Sequence, residues 1–400
     1  MAATIYNRPT FYLYLMDAGK AHGVIAIRMK ILLSIGVLFS TAMFAAPTFT
    51  VGKPILASSY QVNAASLCAT ANETLAYLNK GAGFDPAVIH AGRVAPVPLW
   101  QVKATLVFIC QHQSMLKNPE FINKHFDFIH WQPDMQKVRS LSAHKPLLKN
   151  LPADQILMTK YYVHLAKASS KATAAKPYAL YALPQDEQAL TLEDAEKRPD
   201  LIRHKYGKQA ILTGVLHDKA VPVLAYLSRD DLESALLQGT VVADFGGKTG
   251  KKIFNVHRNN NISYDRTQAP YAQQRYWYFK EVDGIKGYGK DADHKITVNP
   301  DVTFAADLNQ FGLGKLLLVQ YADKSRTPVI RLGILADTGG AFADNLYQVD
   351  FLAGSYAGKQ AHYQATRHLP DYVNAYFMVL KKEYCTLYKR GSGKSLPASL

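Results

Sequence analysis

Two carboxylates carry the most chemical meaning in this chain of 400 residues. Asp337 ends the apolar run Ile334-Leu335-Ala336 and opens the turn Thr338-Gly339-Gly340-Ala341. Asp350 follows thirteen residues later, in the alternating segment Tyr347-Gln348-Val349-Asp350-Phe351. An apolar run that delivers an acid into a Thr-Gly-Gly turn places that acid at a strand end, where Gly339 and Gly340 let backbone amides crowd around it. A following strand that returns a second acid beside the first gives two carboxyl groups whose surroundings push their pKa values apart, as general acid/base chemistry near neutral pH requires. On residue type alone Asp337 is also readable as a turn aspartate bonding the next amides, and Asp350 as an exposed strand residue.

Positioning such a pair requires strands. From Gln155 onward short apolar runs alternate with Gly, Pro, Asn and Asp, which predicts a mainly β body. Strands are expected at Ile156 to Leu165, Tyr178 to Leu183, Gln209 to Leu216, Ala220 to Leu227, Lys252 to Val256, Arg275 to Lys280, Leu316 to Tyr321, Val329 to Leu335 and Leu346 to Leu352. Before them the patterning is helical, with Leu67, Leu75 and Leu78 in one stretch and Leu99, Val102, Leu106, Phe108 and Ile109 in another, so residues 47–150 are expected to form an N-terminal helical region. Residues 391–400 read as a flexible tail. Strand alternation sets Tyr276 and Tyr278 on one face and Trp277 and Phe279 on the other, with most of these rings expected in the core. Asn259-Asn260-Asn261 reads first as a turn.

With 48% hydrophobic and 19% charged residues, the chain suits a globular body of two or three domains with a buried core. A net charge of +15 points to an anionic partner: nucleic acid, a membrane surface or an acidic cell-wall polymer. The cations are spread along the chain without a dense block or nucleic-acid motif, so no nucleic-acid partner is expected, and a solvated basic surface accounts for the charge as well. Met29-Lys30 followed by uncharged Ile31 to Ala46 has the pattern of a signal peptide, too short for a comfortable membrane span, with residues 1–28 as an upstream extension. Removing residues 1–46 leaves 15 − 3 = +12. Leu67 before Cys68 does not suit lipid attachment, so no anchor and no stable membrane span are expected. Three cysteines are too few for a disulfide scaffold; Cys68 and Cys110, both in helical segments, are able to pair in an oxidising compartment. His125 and His130 lack metal-ligand spacing, and neither a metal nor a cofactor is expected.

Several segments carry a family resemblance in the right order: Thr159-Lys160-Tyr161-Tyr162; Tyr178-Ala179-Leu180-Tyr181 with Pro184 and Asp186; Val221-Pro222 through Arg229-Asp230-Asp231-Leu232-Glu233; Tyr276-Trp277-Tyr278-Phe279; Ala305-Ala306-Asp307 with Gly312-Leu313-Gly314; and Asp337 to Ala341 with Asp350. Together they resemble the membrane-bound lytic murein transglycosylase A family over roughly Gln155 to Ser355. The chain departs from that pattern at Lys160, where the family has glycine, and at Gln348, where it has arginine. It departs again at Val302-Thr303-Phe304, and keeps only Leu237-Gln238-Gly239-Thr240 of a Gln-Gly-Ser-Gly segment.

The resemblance implies a double-psi β-barrel of the 3D type from residues 151–165 and 291–390, with a second β domain inserted at 166–290, and a periplasmic protein acting on peptidoglycan glycan strands. It implies cleavage of the β-1,4 bond between N-acetylmuramic acid and N-acetylglucosamine, the muramoyl C6 hydroxyl attacking to give a 1,6-anhydro product. One carboxyl group then suffices as acid and base, because no water is activated. Carried over by position, Asp350 is the acid/base and Asp337 its partner, with Thr159, Tyr161, Tyr162, Asp307, Gly339 and Gly340 around the substrate. Two other readings stand beside it: a peptidoglycan-binding relative without activity, and an aspartic peptidase. Peptidases present their acid in the same Asp-Thr-Gly turn but need two such loops, and hence here a symmetric dimer.

Overall fold

The structure is a computed structural model and describes residues 47–265, 267–342 and 345–385; the expected signal segment and the 391–400 tail lie outside the described residues. In chain order the strands are β1 (Thr48–Val51), β2 (Ser59–Gln61), β3 (Phe126–Gln132), β4 (Ile156–Lys167), β5 (Tyr178–Tyr181), β6 (Val223–Leu227), β7 (Thr240–Asp244), β8 (Lys251–Asn259), β9 (Trp277–Val282), β10 (Lys286–Gly289), β11 (Lys295–Thr297), β12 (Thr303–Ala305), β13 (Leu316–Ala322), β14 (Pro328–Asp337), β15 (Gln348–Tyr356) and β16 (Tyr372–Leu380). The helices are α1 (Ala64–Leu78), α2 (Leu99–Gln111), α3 (Pro119–His125), α4 (Met135–Ser142), α5 (Leu192–Glu196), α6 (Ile202–Lys205), α7 (Lys208–Leu212), α8 (Arg229–Gln238), α9 (Leu308–Phe311) and α10 (Lys359–Thr366).

Continuous apolar runs suit strands covered on both faces, and β13, β14, β15 and β16 are of that kind. β16 pairs with β13, β13 with β14, β14 with β12, β12 with β15, β15 with β4, and β4 again with β16, so six strands close a ring. Closure removes the exposed edges that an open sheet leaves. Leu317, Leu335, Val349, Leu352 and Phe377 are buried in its core. At its far end β4 pairs with β7, which leads through β8 to β9. A second core lies there, around Leu180, Leu232 and the whole run Tyr276-Trp277-Tyr278-Phe279, so these aromatics are packing residues on both faces.

Three expectations need correction. The region 47–150 holds α1 to α4 but also β1, β2 and β3. β3 alternates Phe126 and Phe128 inward and lies between β1 and β16, a strand role its neighbouring helices concealed. Gln209 to Leu216 is not a strand: Lys208–Leu212 is helix α7, built of good helix formers, with Gly214 at φ 95° in the turn that follows. Residues 166–290 contain α5 to α8 besides their strands, and position 290 falls inside the β10–β11 hairpin.

Cys68 on α1 and Cys110 on α2 form a disulfide, while Cys385 is buried, its thiol against the carbonyls of Leu380 and Lys381. Among the described residues no helix is long and apolar enough to cross a membrane.

Candidate active site

Register brings the two aspartates together. On β12, Ala305 pairs with Asp337 of β14 on one side and with Asp350 of β15 on the other. Residues directly opposite in a sheet project to the same face, and strands lie about 4.8 Å apart, so the two acids stand about 10 Å apart at their Cα atoms with only a methyl group between them. This depends on an irregularity: Phe304 pairs with Leu335 but Ala305 with Asp337, so Ala336 is passed over. Without that extra residue Ala305 would face Ala336, and Asp337 would turn to the opposite side. On the far side of Asp350, β4 presents Thr159 at the paired position.

Polar partners divide the pair. The Tyr161 hydroxyl donates to Asp337 Oδ2 at 2.7 Å and the Thr338 N–H to Oδ1 at 2.8 Å. Burial raises the Asp337 pKa, and these donors oppose the rise by favouring the carboxylate. Asp350 is 2% exposed, and its Oδ1 has no hydrogen-bond partner among the described residues. Burial pushes its carboxyl up to about 7; the Thr159 hydroxyl pulls against this, and the negative charge of Asp337 adds to the rise. Thr159 is itself fixed by Gln348, whose Nε2 donates to its Oγ1 at 2.7 Å while Asn345 donates to the Gln348 amide oxygen. Gln348, unexpected at its position, is thus absorbed into the support of the acid. Lys160, another departure, pairs with Asp371 at 2.6 Å.

The acids open into a hollow that is partly open to solvent. Its other walls come from Gln238-Gly239-Thr240 at the end of α8, from Asn255 and Val256 of β8, and from Lys286, Gly287 and Lys295 of the β10–β11 hairpin. Gly239 closes α8 with a left-handed φ of 79°, freeing its carbonyl to accept from Asn255 Nδ2 at 3.0 Å. At Gly287 a Cβ would lie 2.7 Å from the carbonyl of Ala336, so glycine is what lets the hairpin sit against the passed-over residue of β14. Lys295 Nζ donates to Asn255 Oδ1 at 2.5 Å, and burial lowers its pKa to about 8.

Of the expected site residues, Asp337, Asp350, Tyr161 and Tyr162 border the hollow. The Tyr162 ring stacks on His362 instead of offering a free face. Thr159 stands behind the acid. Asp307 lies at the N-cap of α9, off the hollow. Gly339 and Gly340 are also off it, and among the described residues the Thr338 amide, not theirs, reaches Asp337. Asn260 is a structural turn residue, bonded to the backbone of Tyr206, Gln274 and Tyr276. Missed altogether were Lys295, Asn255 and Gly287, which no local motif marks. Among the described residues no group of three His, Cys, Asp or Glu side chains is placed to hold a metal ion.

No protein-family model and no curated protein matches the chain. Solved structures do. A membrane-bound lytic murein transglycosylase from Agrobacterium tumefaciens matches with a TM-score of 0.54 at 15% identity, over 82% of this chain and 96% of its own. The E. coli protein MltA with bound chitohexaose matches with a TM-score of 0.52 at 15% identity, over 83% and 94%. The chain therefore has the mainly β fold of the membrane-bound lytic murein transglycosylases.

Proposed function

We propose that this protein is a periplasmic peptidoglycan lytic transglycosylase that cleaves the bond between N-acetylmuramic acid and N-acetylglucosamine, with Asp350 as its single acid/base. The observation that carries the reading is the Asp350 carboxyl: buried, with one oxygen unbonded among the described residues, and pushed up to about 7 beside a second carboxylate in a hollow. Such a group is protonated enough near neutral pH to act as an acid and basic enough afterwards to accept a proton.

Protonated Asp350 donates to the glycosidic oxygen as the bond to the muramoyl C1 breaks, and the N-acetylglucosamine hydroxyl leaves. Positive charge then develops at C1, and Asp337, whose ionised form Tyr161 and Thr338 favour, stabilises it across the face. The muramoyl C6 hydroxyl attacks C1 and gives its proton to the Asp350 carboxylate, closing the 1,6-anhydro ring and restoring the acid. One carboxyl group turns over without an activated water, which fits a site whose second acid is held by donors of its own chain. Those donors also weigh against the peptidase reading, in which a partner's acid would have to meet Asp337 where Tyr161 bonds it. The fold likeness and the basic chain, suited to an anionic wall polymer, agree with this reading.

The test is mass spectrometry of muropeptides released from purified peptidoglycan by the protein and by its Asp350→Asn variant. Products carrying 1,6-anhydromuramic acid, absent with the variant, are the expected result. No release, with the protein still sedimenting on sacculi, would favour a binding protein without activity.

A further inference from the structure

Charge in the hollow is divided unequally. Asp337 and Asp350 occupy the barrel side, and two cations, Lys286 and Lys295, line the hairpin side. Lys286 is neutralised by Asp283 at 2.5 Å and also donates to Thr297. Lys295 has no ion pair among the described residues; its ammonium meets only neutral acceptors, Asn255 Oδ1 at 2.5 Å and the Val256 carbonyl at 3.4 Å. The carboxylates nearby spend their hydrogen bonds elsewhere, Asp337 on Tyr161 and Thr338, Asp291 on His294 and Asp293 on Lys280, so Asp337 and Asp291 act on the ammonium only through their charge. Burying a cation without an ion pair is costly, and burial lowers the Lys295 pKa although the charge of Asp337 across the hollow opposes part of that fall. The cost is recovered when a ligand brings the anion. Asn255, itself donating to Gly239 and Thr240, holds the ammonium in place from a rigid strand, so little side-chain freedom is lost on binding.

From this arrangement, and resting on the function proposed above, we infer that Lys295 is a specificity-determining residue that binds a carboxylate carried by the sugar beside the scissile bond. The group of that chemistry on a murein strand is the 3-O-lactyl carboxylate of muramic acid, which is ionised where the stem peptide has been removed and neutral where an amide links it to peptide. The site then favours peptide-free strands over neutral ones through one charge-assisted hydrogen bond.

Titration calorimetry tests this with the full chain carrying Asp350→Asn, which keeps the ligand uncleaved. Three glycans are compared: chitohexaose, peptide-free murein strands with free lactyl carboxylates, and the same strands after amidation of those carboxylates. The carboxylate strands are expected to bind about tenfold tighter than the amidated ones. Adding Lys295→Met should weaken binding of the carboxylate strands about tenfold more than that of the amidated ones and so remove the preference, and Lys295→Arg should keep it. Equal binding of the two strands, or an equal loss for both in Lys295→Met, overturns the inference while leaving the proposed function standing. Failure of all three glycans to bind overturns the proposed function, and the inference with it.

Discussion

The two sides of the hollow are built on different principles. On the barrel side Asp337, Ala305, Asp350 and Thr159 are set by backbone register across four hydrogen-bonded strands. On the hairpin side Lys295, Asn255 and Gly287 are set by the packing of a two-stranded ribbon against β8 and β14. Behind that ribbon stand Asp85, which accepts from Tyr77 and Tyr288, and Thr70 of α1, which accepts from Asn299. Register fixes side-chain positions firmly, because a slip would move every residue to the other face. Ribbon packing holds through a few polar contacts and one absent Cβ. The acids are therefore expected to be hard to displace and easy to inactivate chemically, and the cationic wall the reverse.

The sharpest break of that contrast is Asp350→Asn. Activity should fall about a thousandfold, in the range for loss of a general acid/base, with the fold unchanged by circular dichroism. The same variant alters stability. Folded Asp350 keeps its proton up to about pH 7, whereas the unfolded side chain loses it near its ordinary value of 3.8. The folded state binds more protons between those values, so wild-type stability should decline as pH rises through that window, and the decline should flatten in the variant. Denaturant midpoints at a series of pH values measure it.

Next in size is the support of the wall. Cys68→Ser with Cys110→Ser opens a cross-link spanning 42 residues, and the chain-entropy relation puts the loss at about 4 kcal/mol in chemical denaturation. Gly287→Ala forces a methyl against the Ala336 carbonyl and Val298, with an expected loss of about 1–3 kcal/mol. If that methyl were tolerated without loss of stability or activity, the hairpin would not depend on its close approach to β14. The smallest effect belongs to Tyr161→Phe. Removing the donor to Asp337 should raise that pKa and move the low-pH limb of the activity profile to higher pH, with a loss of about 1 kcal/mol in kcat/KM. An unmoved limb would mean that the charge of Asp337 is not limiting.

The same contrast explains what the residues disclosed. Asp337 and Asp350 were legible because an apolar run, a Thr-Gly-Gly turn and an alternating strand are local patterns, and a turn between two strands returns the second near the first. The intervening β12 was not, since Thr303-Phe304-Ala305 is three residues of strand that only its two neighbours define. Nor was the passed-over Ala336, a matter of pairing and not of composition. Lys295 sits in an ordinary alternating stretch with buried Ile296 and Val298 beside it, and nothing local says that its ammonium will meet Asn255, forty residues earlier. Gln209 to Leu216 misled because short apolar runs fit strand and helix alike.

Asp350 is the third residue of a nine-residue strand that pairs on both edges, with β12 and with β4, and is not on a loop. Pairing on both sides ties its exposure to opening of the sheet itself, so its amide should be among the last in the chain to exchange its hydrogen for deuterium. Heat inactivation should accordingly coincide with global melting instead of preceding it, making loss of activity a direct thermometer of the fold.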